Sequence, residues 1–81
     1  MSLAPLHDVN LALAEPDLNP VDRLVLILAQ TNPGTHVVTD RAEKWMISDA
    51  AFLSAVRKLV RKGFLQQAQY EAGEISLVPV L

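Results

Sequence analysis

A chain of 81 residues without a cysteine has room for one domain and one core, and it excludes disulfides, thiolate zinc sites and cysteine nucleophiles. Its apolar fraction of 51% is enough to offset the entropy of ordering, whereas the longest apolar run, residues 24–29, is far short of the roughly 20 residues that cross a bilayer. The net charge of −2 gives no whole-molecule attraction to a polyanion, so any such attraction must come from how the charges are distributed.

The N-terminal stretch does not read as a secretion signal, because His7, Asp8 and Asn10 interrupt it, and a cytoplasmic location without a membrane partner is expected. Val9, Leu11 and Leu13 alternate as in a strand, while Val9 and Leu13 also stack as on a helix turn capped by Asp8 and ended by Pro16. The pattern leans to the helix. Residues 1–18 therefore form an N-terminal extension with no partner in a minimal three-helix fold, and packing on a second copy, as a homodimer, is the expectation.

Asn19-Pro20 is a clear helix start, since Asn caps a free amide and Pro at the first position loses no bond it needed. Val21, Leu24, Val25, Leu28 and Ala29 follow at helical spacing, with Leu26 and Ile27 widening the arc, so this helix should be buried on most sides until Asn32-Pro33-Gly34 ends it. His36-Val37-Val38 reads as a brief extended piece. Thr39 or Asp40 then caps a short helix to about Met46, with Ala42, Trp45 and Met46 inward.

Ser48 is the cap expected for a third helix running to about Lys62, with Asp49 at its electropositive end. At about 100° per residue, Phe52, Leu53, Val56, Leu59 and Val60 share the core arc, and Ala51, Ser54, Lys58 and Arg61 point away from it. Gly63 suits a left-handed helix end. From Leu65 to Val80 the period shifts to alternation around Glu71-Ala72-Gly73-Glu74, a hairpin whose last strand Pro79 should place at an edge. Between residues 41 and 62, six cations (Arg41, Lys44, Arg57, Lys58, Arg61, Lys62) face two anions (Glu43, Asp49).

The order helix, extended piece, helix, turn, longer helix, glycine and hairpin, with Ile47-Ser48, Val56, Leu59 and Lys62-Gly63-Phe64-Leu65, resembles the winged helix-turn-helix superfamily of bacterial and phage regulators over residues 19–81. The resemblance implies an α+β fold, a three-helix core with a C-terminal β-hairpin wing. It implies a small transcriptional regulator or replication accessory that binds double-stranded DNA as a dimer on a pseudo-palindromic site, with the third helix in the major groove. Ser48, Ala51 and Ser54 would then lie close to the groove. Arg57, Lys58 and Arg61 would meet phosphates or guanine edges, and Arg41 and Lys44 would brace the flanking backbone. Two departures stand out. The turn before the third helix lacks the usual glycine, and the wing tip carries Glu71 and Glu74 where phosphate-gripping wings carry cations.

A second reading is an adaptor that binds protein, not nucleic acid, through the acidic wing and the N-terminal segment. One continuous basic stripe would favour DNA, and a stripe split by Asp40, Glu43 and Asp49 would favour the adaptor. No enzyme is expected. Ser48, Ser54 and Ser76 have no base and orienting acid in a recognisable arrangement, and His7 and His36 have no acidic pair at metal-ligand spacing. Pro33-Gly34 is a turn and not a phosphate cradle, Trp45 reads as core, and no cofactor or metal is expected.

Overall fold

In the computed structural model, residues 15–80 are described, and the N-terminal extension with its helix-or-strand alternative lies outside them except for residues 15–18. Helix α1 (Pro20–Thr31) starts as expected from its cap: Asn19 Oδ1 accepts from the Asp22 amide at 2.8 Å, and Asp22 Oδ2 accepts from the Asn19 amide at 2.9 Å. This reciprocal box satisfies two amides that no helical carbonyl can reach. Val25, Leu26, Leu28 and Ala29 are buried, but Leu24 and Ile27 remain exposed, so α1 has an uncovered apolar side that its composition did not suggest. Leu18, just before the helix, is buried in the same core.

Strand β1 (Gly34–Val37) begins two residues before the expected extended piece, and Val38 already belongs to helix α2 (Val38–Trp45). Neither Thr39 nor Asp40 caps α2. Its first amide, on fully buried Val38, donates instead to the Gly73 carbonyl in the hairpin turn at 2.9 Å. A cap from 35 residues downstream is set by tertiary packing and leaves no local signature.

The turn between α2 and α3 (Asp49–Arg61) is closed by Met46, which holds φ 59° in the left-handed region and is 91% exposed. The Ile47 amide reaches the Ala42 carbonyl at 3.0 Å and the Met46 amide reaches that of Glu43 at 3.1 Å, the bond pair of a glycine-type helix end. Met46 thus stands where glycine was missed, and it points outward, not to the core as its spacing suggested. Met46→Gly removes a Cβ clash without losing packing, so stability should rise by about 0.5–1 kcal/mol, read as a higher urea midpoint.

Ser48 caps α3 as expected, its Oγ accepting from the Ala51 amide at 3.0 Å. Phe52, Ala55, Val56 and Leu59 are buried, and Leu53 and Val60 are half-buried at the flank. Gly63 ends the helix at φ 88°. Strands β2 (Tyr70–Glu71) and β3 (Glu74–Leu77) join through Ala72-Gly73, both at positive φ as a two-residue hairpin turn requires.

The antiparallel sheet has the order β1-β3-β2, with Gly34 opposite Leu77 and Tyr70 opposite Ile75. β3 is therefore the central strand and not an edge, and Pro79 lies beyond it, bridged to Leu65, where its missing amide breaks no ladder. Gln66 donates to the Val78 carbonyl at 2.8 Å, yet the next pair is Tyr70 with Ile75. Residues 67, 68 and 69 thus face only 76 and 77, and this extra residue bulges the chain away from the ladder. Only Tyr70–Glu71 of the long first hairpin strand is regular. Among the described residues, three helices and a three-stranded antiparallel sheet in this order give an α+β layout compatible with a winged helix.

Candidate nucleic-acid interface

Residues 50, 54, 57 and 61 recur at steps of four, three and four, so they share one line along α3, opposite the buried Phe52, Val56 and Leu59. Ala50, Ser54, Arg57 and Arg61 are all exposed there. No carboxylate shares that line. Among the described residues neither guanidinium has a hydrogen-bond or ion-pair partner, and the two small side chains leave the N-terminal half of the helix open to close approach. Ser48 and half-buried Ala51 flank the same end, with the Ser48 oxygen committed to the cap.

Lys58 does not belong to this face. Its Nζ lies 2.9 Å from Asp22 Oδ2 and donates to the Asp17 carbonyl at 2.9 Å, which turns the side chain back over the start of α1. Asp22 is 2% exposed and also holds the Asn19 amide, so a phosphate would have to strip Lys58 from a carboxylate buried in the fold. Lys58, expected at a DNA contact, is held in this ion pair. Lys58→Met removes the cation from the buried Asp22 carboxylate, which still accepts from the Asn19 amide, and should cost about 2–3 kcal/mol, with Asp22→Asn recovering part of the loss in a double-mutant cycle of urea melts.

Lys62 is likewise engaged, at 2.7 Å from Asp17 Oδ2. The hydrogen bond from Lys62 holds the Asp17 carboxyl below its ordinary value, and the same bond raises the Lys62 ammonium. The lowered carboxyl contributes stability above its unfolded value of 3.8 that is lost as pH falls through the folded value; the raised ammonium contributes stability below 10.5 that is lost as pH climbs past its folded value. Both groups are well solvated, so the effect is small. Lys62→Gln should lower the thermal midpoint slightly between pH 5 and pH 8, and its gap from the parent should close as pH falls below about 4.

Arg41 and Lys44 are in a different place from Arg57 and Arg61. They border a cleft between α2 and β1 with Thr35, His36 and Asp40, and the Arg41 guanidinium sits 5.9 Å from the Trp45 ring centre. Arg57 and Arg61 border a second cleft between α3 and β2. Since β1 and β2 are opposite edges of the sheet, a basic run continuous in sequence becomes three separate groups. Asp17 and Asp22 from the α1 start hold two of its cations, and Asp40, one of the acids expected to split the run, borders the cleft beside Arg41 and Lys44. Asp49 instead accepts from the Thr39 hydroxyl at 3.2 Å.

At the wing tip Glu71 and Glu74 are directly opposite each other and exposed, an acidic pair that repels phosphate. Asp22 was missed as a clamp, although Asn19 followed three residues later by an acid was a readable capping signal. Gln67, Ala68 and Tyr70, which line the α3–β2 cleft, gave no signal, because the bulge that sets them there depends on the pairing register. Among the described residues no helix is long and apolar enough to cross a membrane, and no three His, Asp or Glu side chains converge on a metal-sized site. Comparison with protein-family models, with curated proteins and with solved structures finds no match.

Proposed function

We propose that this chain binds double-stranded DNA through the outward face of α3, as a small regulator or replication accessory. The carrying observation is the acid-free line of Ala50, Ser54, Arg57 and Arg61, small at the end that would enter a major groove and doubly cationic where the phosphates would lie. The wing takes no part, because Glu71 and Glu74 face outward at its tip. Lys58 and Lys62 are engaged by carboxylates of the fold, and Arg41 and Lys44 border a cleft other than the one beside Arg57 and Arg61. Fluorescence anisotropy of a labelled random duplex at low salt tests the reading. Saturable binding that weakens with added salt is expected, and no binding would overturn it.

A protein-binding adaptor is the second reading, favoured by Leu24 and Ile27, which lie exposed one turn apart on α1. A partner protein covering them would be released by Leu24→Asp, a change that leaves duplex affinity untouched.

A further inference from the structure

We infer that the cleft between α3 and β2 is a binding site for a small aliphatic carboxylate. The cleft exists because of the hairpin bulge: residues 67–69 swing out from the ladder, and Gln67 and Ala68 form a wall that faces α3. Its floor is aliphatic, built from Leu53, Val60 and Ile75. Its volume of about 340 Å³ falls at the lower end of the range of small-molecule sites, which suits a short chain or ring and not a polypeptide.

The rim fixes the charge of the occupant. Arg57 and Arg61, one helical turn apart, both border the cleft, and no carboxylate lines it. Two guanidinium forks beside an apolar floor match a molecule with a hydrocarbon body and a carboxylate at one end, because the fork hydrogen-bonds both oxygens in one plane. Tyr70, half exposed at the mouth, adds a ring edge that shields the hydrocarbon from water. A cation would meet two like charges, and an anion without an apolar part would leave the floor wet.

Occupancy would offset one of the two arginine charges assigned above to phosphate and occupy their forks, so such a ligand would weaken the hold on DNA. That consequence rests on the DNA reading, whereas binding of the ligand does not.

The test is a titration of the isotope-labelled full chain, followed by amide NMR, with octanoate, 1-octanol and inorganic phosphate in parallel. Octanoate should shift the amides of Leu53, Val60, Ala68 and Ile75 saturably at millimolar concentration, about tenfold more tightly than octanol, while phosphate leaves these amides unmoved. Arg57→Gln with Arg61→Gln, both exposed changes that spare the core, should bring octanoate down to the affinity of octanol. Equal affinity for acid and alcohol in the parent, or octanoate shifts confined to the arginines, would overturn the site. Octanoate shifts without duplex binding sink the DNA reading alone, and duplex binding without octanoate shifts sinks this one alone.

Discussion

Phe52→Ala is expected to bring the chain to the edge of unfolding at room temperature. Phe52 has no exposed surface, and its ring stacks on Trp45 at 5.6 Å with 19° between the planes, so one side chain fastens α2 to α3 and fills the space between them. Truncation removes the transfer energy of the ring and leaves a cavity that two capped helices cannot close, a loss of about 3–5 kcal/mol. Domains of this size sit near the low end of the ordinary stability range of about 5–15 kcal/mol, so that loss consumes most of the margin. Far-ultraviolet circular dichroism and Trp45 fluorescence should both report loss of the cooperative urea transition. Phe52→Leu, which keeps most of the volume, should retain the transition at a lower midpoint. An alanine variant melting within about 1 kcal/mol of the parent would mean that Phe52 is not the fastener its burial indicates.

The parts of the fold that were legible are those whose causes are local. Asn19-Pro20 and Ser48 announce α1 and α3 because a cap acts on amides two or three residues away, and both caps are made as read. The core arc of α3 follows from helical period alone, and Phe52, Val56 and Leu59 lie where it puts them. The start of α2 was misread because its cap is the Gly73 carbonyl, which becomes a neighbour only when β3 inserts between β1 and β2. The same insertion made β3 central against the expectation from Pro79. At the site, Ser54 and Arg61 were read as outward together with Lys58, and spacing alone does not tell which partner Lys58 takes. Its fate is decided by Asp22, 36 residues earlier, and no spacing rule reaches that far.

Replacing Arg57 and Arg61 with alanine together should abolish duplex binding while leaving the melt intact. Each phosphate neutralised releases condensed counterions, so log affinity falls with log salt at a slope of about −0.9 per contact. Of the six cations in the basic run, Lys58 and Lys62 are bound to Asp22 and Asp17 and Arg41 and Lys44 border a separate cleft, which leaves Arg57 and Arg61 and a slope near −2 per protomer. Between 50 mM and 200 mM salt the parent should then lose about tenfold in affinity, and a dimer with both copies engaged should lose about a hundredfold. Lys62→Gln provides the control, since its charge is already matched by Asp17 and its removal should leave the slope where it was. The arginine pair is exposed and without partners among the described residues, so its loss costs the fold little and any drop in binding is read directly. A double variant that binds duplex with the parent's affinity and salt slope would take α3 out of the interface, and with it the one acid-free face on which the DNA reading stands.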